Sequence, residues 1–107
     1  MSVFPESGRQ VAHVLLDAVA AFDPDGAETP AGVSSPTNLA YERINAIPGA
    51  VDVDVWEAGD DTNVTVDLSN VLGASLILLN RAATVIAEQR GVAREVVIAE
   101  LREYADL

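Results

Sequence analysis

The fold class is decided by residues 51–68, which read VDVDVWEAGDDTNVTVDL. Valine alternates with polar residues in both halves, and this two-residue period is typical of β-strands with one buried face. A two-residue turn at Gly59-Asp60 would join the halves into an antiparallel hairpin. The expected cross-strand pairs are Val51 with Leu68, Val53 with Val66, and Val55 with Val64. We therefore expect a β-hairpin whose valines share the side that faces the core.

The opposite side of this hairpin collects carboxylates around the only tryptophan of the chain, Trp56. A tryptophan among acids is suited to a partner that brings Arg or Lys, through cation–π contact and burial of area. The predicted partner-binding residues are Asp52, Asp54, Trp56, Asp60, Asp61 and Asp67. In the alternative interpretation, the first helix or the loop after it covers this side and makes Trp56 an ordinary core residue.

Two helices are expected before the hairpin. Apolar residues recur at steps of three and four over residues 8–22, which predicts an N-terminal helix, and Ser7 with Gln10 fits a capping box at its start. Residues 23–38 contain three Pro and two Gly and predict a long loop or linker. A short helix over about 37–46 follows.

Two further helices are expected after the hairpin. Ser69 is a suitable N-cap for a helix over about 70–90, and Gly91 suits its C-cap. Apolar positions cover more than half of the circumference of this helix, so it is either the central core helix or packs against another subunit. A last helix over about 93–105 would complete an αα-hairpin. The predicted fold is a small α+β single domain over residues 1–107, in which residues 39–107 form a helix, the hairpin and a two-helix core.

The net charge of −11 is distributed unevenly along the 107 residues. Residues 1–80 hold 12 acidic residues and two arginines, and residues 81–107 hold five acidic residues and four arginines. The acidic part should repel nucleic acid and anionic membranes and favour a basic protein partner. All six basic residues are Arg, which is typical of a GC-rich genome such as that of an actinobacterium or its phage. That origin, or a salt-loving host, would make the acidity a background property instead of a binding feature.

Catalytic signatures are missing from the sequence. There is no Cys, the only histidine is His13, and no serine motif or glycine-rich phosphate loop accompanies it. Asp52, Asp54 and Asp67 could offer oxygen ligands to Ca²⁺ or Mg²⁺, but they lack the spacing of a metal loop, so a solvated strand face is the simpler interpretation. We therefore predict no enzymatic activity, no cofactor and no metal.

The sequence also predicts a cytoplasmic protein with no membrane partner. Its first residues lack a basic segment followed by an apolar one, as a signal peptide would have. The longest run of large apolar residues, residues 76–79, is far shorter than a membrane span.

The function predicted from these features is that of a non-enzymatic acidic interaction module that binds, and in one version masks, a basic protein surface. One alternative is a DNA-binding regulator, because residues 83–101 resemble the spacing of a helix-turn-helix, with Arg94 and Arg102 on the second helix. Against it, Arg90 and Glu100 occupy positions that such motifs usually bury. A second alternative is a structural subunit that forms a homo-oligomer through the helix at 70–90.

Overall fold

The structure is a computed structural model that describes residues 3–22 and 35–107. Four helices and one hairpin follow each other in the order α1 (Glu6–Ala21), α2 (Pro36–Asn45), β1 (Asp52–Ala58), β2 (Asp61–Asp67), α3 (Ser69–Arg90) and α4 (Arg94–Ala105). This confirms the predicted α+β class and the order of its elements. Most of the predicted loop at 23–38 lies outside the described residues, and its last three residues belong to α2.

The chain divides into two compact units, Met1–Ser75 (unit 1) and Leu76–Leu107 (unit 2). The division falls inside α3, so the first turns of that helix belong to unit 1 and the rest to unit 2. Unit 1 contains α1, α2 and the hairpin. Unit 2 contains the remainder of α3 together with α4. The single domain expected over residues 1–107 stays a prediction.

The register of the hairpin is the one that the valine alternation predicts. Val53 pairs with Val66 and Val55 with Val64 in an antiparallel ladder. Gly59 has a φ of 66°, and no residue other than glycine has a positive φ in the described parts of the chain. A positive φ at the first turn position is what a type II′ turn requires, and glycine adopts it without steric cost.

The expectation that the valines face the core is wrong for the hairpin as the structure describes it. Every residue of β1 is exposed, and so is every residue of β2 except Asn63, which is half-buried. Val55 keeps 62% of its surface exposed and Val64 keeps 59%. Alternation identifies the residues that share a face, but it does not supply an element to cover that face.

The buried residues of unit 1 lie near the helices instead. Val11 is fully buried on α1, and Ala50 is fully buried just before β1. Two hydrogen bonds fasten this region: the Ser7 hydroxyl donates to the Pro48 carbonyl at 2.7 Å, and the Asn70 amide donates to the Gly49 carbonyl at 2.8 Å. The turn at 48–50 is therefore tied to α1 on one side and to the start of α3 on the other.

The predicted capping box at Ser7 and Gln10 is wrong. The N-cap of α1 is Pro5, which makes no side-chain cap, and Ser7 already lies inside the helix. Its hydroxyl serves the contact with Pro48, and the Gln10 amide donates to the Glu6 carboxylate at 3.0 Å. The Glu6 carboxylate also accepts from Arg9, and these hydrogen bonds, led by that from Arg9, lower the pKa of Glu6 to about 2.

The second helix, α2, is capped by a side chain and packs on α1. The Ser35 hydroxyl accepts from the Asn38 backbone N–H at 3.1 Å, with Pro36 at the first helical position, where its missing N–H costs nothing. The Arg43 guanidinium donates to the Asp17 carboxylate at 2.9 Å and so links the two helices.

Unit 2 is an αα-hairpin, as predicted, and its core is small. Ala83 and Ala87 of α3 pack with Val97 of α4, and Val92 is partly buried against them. Gly91 ends α3 with a φ of 67°, which confirms its expected role as a left-handed C-cap. The helices are also joined by hydrogen bonds from the Arg90 guanidinium to both carboxylate oxygens of Glu100, at 2.6 and 2.9 Å, and from Arg94 to the Asn80 side chain at 2.7 Å.

Candidate protein-binding face

The hairpin register brings most of the predicted partner-binding residues onto one side. Asp52 lies directly opposite Asp67, Trp56 opposite Asn63, and Ala58 opposite Asp61. Residues that are paired in this way point to the same side of the sheet, and alternate residues along a strand do too. The acidic face is therefore composed of Asp52, Asp54, Trp56, Asp61 and Asp67. Asp60, the sixth predicted residue, lies in the turn beside this face.

Trp56 lies near the middle of the acidic face with 49% of its surface exposed. Neither α1 nor another described segment buries it, and most of the 23–38 loop, which the alternative interpretation also places over this side, lies outside the described residues. A half-exposed tryptophan still offers a large apolar area. Asp54 and Asp52, two and four residues before Trp56, lie on the same side of β1. The arrangement combines an aromatic anchor with negative charge.

Most carboxylates of the acidic face have no cation beside them. In residues 3–22 and 35–107 the ion pairs join Arg9 with Glu6, Arg43 with Asp17, and Arg90 with Glu100. None of these involves the hairpin, so no basic side chain of the described residues forms an ion pair with Asp52, Asp54, Asp60 or Asp61. Asp52 and Asp67 stand directly opposite each other, a position in which like charges are destabilising.

Asp67 differs from the other carboxylates because it has a structural role. Its Oδ1 accepts from the Ser69 hydroxyl at 2.5 Å and from the Ser69 backbone N–H at 2.8 Å. These two hydrogen bonds, the hydroxyl first, hold the pKa of Asp67 below its ordinary value. The expected N-cap at Ser69 is therefore replaced by the carboxylate of Asp67, which serves the start of α3.

The described residues offer little that would support a metal site or a catalytic site. Within them, no three His, Asp or Glu side chains lie close enough together to hold a metal ion. His13 lies at an open groove of about 400 Å³ that is also lined by Gln10 and Arg43 but by no carboxylate or hydroxyl. The Arg43 guanidinium there is already bonded to Asp17.

Helix α3 carries a stripe of exposed apolar residues. This agrees with its sequence, in which apolar positions cover more than half of the helix circumference. Leu72, Leu76 and Leu79 are each more than 60% exposed, and Ile86 is 42% exposed. Their spacing of four, three and seven residues places them along one side of the helix. This spacing is visible in the sequence, but their exposure is not.

The helix at Ser69–Arg90 is also long and apolar enough to cross a membrane by length and composition, although one such helix is weak evidence and Arg81 lies near its middle.

The arginines of the helix-turn-helix-like segment are partly engaged within unit 2. Arg94 donates to Asn80, and Arg90 is paired with Glu100. A contact to DNA through Arg94 would have to replace its bond to Asn80. DNA binding stays a prediction that no observation favours.

Comparison with known proteins adds no assignment. No family model matches the chain, and neither a curated protein nor a solved structure matches it.

Proposed function

We propose that the chain is a non-enzymatic interaction protein whose acidic face binds a basic protein surface. Trp56 would be the anchor, and Asp52, Asp54, Asp60 and Asp61 would supply the attraction. The observation that carries the proposal is the half-exposed Trp56 among carboxylates that no basic side chain of the described residues neutralises.

The carboxylates and the tryptophan would contribute in different ways. Exposed charge pairs are each worth about 0–1 kcal/mol, so the carboxylates mainly speed association and select for a positive partner. A tryptophan buried at the centre of an interface contributes about 2 kcal/mol or more, roughly a 30-fold change in affinity. Charge determines which partner approaches, and Trp56 determines how long it stays.

Asp67 is assigned a supporting part in this mechanism. Its carboxylate already accepts two hydrogen bonds from Ser69, so it adds to the local potential without being free to turn toward a ligand. Its charge also faces that of Asp52 across the hairpin. A guanidinium from a partner between these carboxylates would relieve their repulsion, which gives a positive ligand an advantage in addition to direct attraction.

The experiment that tests the proposal is titration with a synthetic arginine-rich peptide, followed by the fluorescence of Trp56 and by calorimetry. We expect a change in emission on binding and an affinity that falls steeply with added salt. Trp56→Ala should weaken binding about 30-fold by calorimetry. Asp52→Asn with Asp54→Asn should weaken it several-fold at low salt and little at high salt.

The matched control is Glu103→Gln with Asp106→Asn, which removes the same number of charges from exposed positions in unit 2. This variant should retain the affinity of the unmodified chain. Equal losses in the two double variants would mean that the peptide responds to net charge alone, and the acidic face would then not be a site. Unchanged Trp56 emission at saturation would lead to the same conclusion.

A further inference from the structure

The helices of unit 2 carry more apolar surface than their mutual contact covers. On α3, Leu76 and Leu79 remain 66% and 62% exposed, whereas Ala83, on the same side of the helix, is buried. On α4, Leu101 and Tyr104 remain 48% and 74% exposed, whereas Val97 is buried. In each helix, the apolar side is therefore buried at some positions and exposed at others.

We propose that a second copy of the chain packs on these exposed stripes. The stripes are the part of the α3 stripe that belongs to unit 2 (Leu76, Leu79 and Ile86) and the exposed Leu101 and Tyr104 on α4. The contact would be made between the unit 2 surfaces of the two copies. It does not depend on the acidic face, so it holds or fails independently of the proposed function.

The size of unit 2 is the first reason. Unit 2 spans residues 76–107, and its core is built from alanines and valines. Units below about 40 residues usually need disulfides, metals or oligomerisation for stability. The chain has no cysteine, and the described residues hold no group of metal ligands. Association with a second copy would let this unit bury its leucines.

The distribution of charge is the second reason, and it favours a second copy over a basic partner at this surface. Residues 1–75 hold 12 acidic residues and two arginines, whereas residues 76–107 hold five acidic residues and four arginines. Two copies that meet through unit 2 therefore bring together nearly neutral surfaces.

The area available fits a reversible dimer. Full coverage of the stripes on two copies would bury roughly 800–1,200 Å², judged from typical side-chain areas and the exposed fractions above. A specific interface needs about 1,000 Å² in total. The contact lies at the lower limit of stable interfaces, so we expect association that depends on protein concentration.

Sedimentation of the full chain over a wide concentration range tests the proposal. We expect the mass to rise from 11.2 kDa towards twice that value. Leu76→Gln with Leu79→Gln should weaken the dimer at least tenfold and leave the helical circular dichroism unchanged, because both side chains are already exposed. Added salt should strengthen the dimer by screening unit 1, whereas it should weaken binding of a basic peptide to the acidic face.

The matched control is Leu16→Gln with Val19→Gln, which removes exposed apolar surface from α1 in unit 1. The control should dimerise like the unmodified chain. A chain that stays monomeric at every concentration overturns the proposal, as does a dimer that survives the α3 substitutions. Co-sedimentation of a monomeric chain with phosphatidylcholine vesicles, lost on Leu76→Gln with Leu79→Gln, would assign the stripes to a lipid surface instead.

Discussion

Gly49 shows how closely α1 approaches the turn that precedes the hairpin. Its φ is 80°, a region that residues with a Cβ rarely adopt, and a Cβ there would lie 3.0 Å from the Ser7 hydroxyl oxygen. That hydroxyl cannot move freely, because it donates to the Pro48 carbonyl. Backbone conformation and local space therefore both favour glycine at this position.

Gly49→Ala should destabilise the protein by about 2 kcal/mol, from the left-handed strain of about 1–2 kcal/mol and the weakened bond to Pro48. Urea unfolding followed by circular dichroism measures the change. Gly59→Ala is the control, since Gly59 also has a positive φ but has no atom within 4 Å of an added Cβ. Equal losses for the two variants would show that the contact with Ser7 contributes nothing.

At the scale of the element, Asp67 joins the end of β2 to the start of α3. Its folded pKa lies below its ordinary value because the ionised carboxylate accepts from Ser69. A carboxylate with a lowered folded pKa stabilises the folded state above its unfolded pKa, and this stabilisation is lost as the pH falls through the folded value. Protonation of Asp67 should therefore loosen the beginning of α3.

Asp67→Asn should be less stable than the unmodified chain at pH 6. This difference in stability should become smaller as the pH falls below 3.8, the ordinary pKa of Asp. Thermal unfolding at a series of pH values measures this difference. Asp54→Asn removes an equal charge from a carboxylate that has no hydrogen-bond partner in the described residues, so it is the control for the loss of charge alone. If the stability difference between Asp67→Asn and the unmodified chain stays the same at every pH, the capping role of Asp67 is contradicted.

The elements that local sequence determines could be predicted, and those that depend on distant partners could not. Valine alternation and the Gly59-Asp60 turn are sufficient for the hairpin register, because both act between near neighbours in the chain. The start of α1 could not be predicted in this way, because the partner of Ser7 is Pro48, 41 residues away. The exposure of the valine face could not be predicted either, because a period of two says nothing about what lies on top of it.

The candidate site also has features that the local sequence predicts and features that it does not. The grouping of Asp52, Asp54 and Trp56 follows from the strand period alone, so the sequence is sufficient to predict it. The capping role of Asp67 depends on how the chain turns from strand into helix, which the pattern does not reveal. The exposure of Leu76 and Leu79 depends on which positions of α3 other segments cover, and residue spacing carries no information about that.

At the scale of the whole molecule, charge and exposed apolar surface dominate the behaviour of the chain. Ten of the eleven net negative charges belong to residues 1–75. The ion pairs in the described residues are all exposed to solvent, which screens them, so they offset little of this repulsion. Repulsion among the carboxylates should therefore lower the stability of unit 1 at low ionic strength.

Raising NaCl from about 20 mM to about 300 mM should raise the Tm, because the screening length falls from roughly 20 Å to roughly 6 Å. Differential scanning calorimetry at one low protein concentration measures the rise. Asp52→Asn with Asp54→Asn should show a smaller rise, since part of the repulsion is already removed. A Tm that falls with salt would mean that the ion pairs outweigh the repulsion.

The two-stranded hairpin has one more consequence, for how the chain avoids aggregation. The described sheet contains only β1 and β2, so each strand has an outer edge whose backbone groups are free to pair with another chain. Stacked copies would repeat every 4.7–4.8 Å and would bring identical aspartates that close together. At neutral pH this repulsion opposes fibril growth from a valine-rich segment that is otherwise suited to it. The carboxylates that we propose to attract a partner would thus also keep the unbound protein in solution.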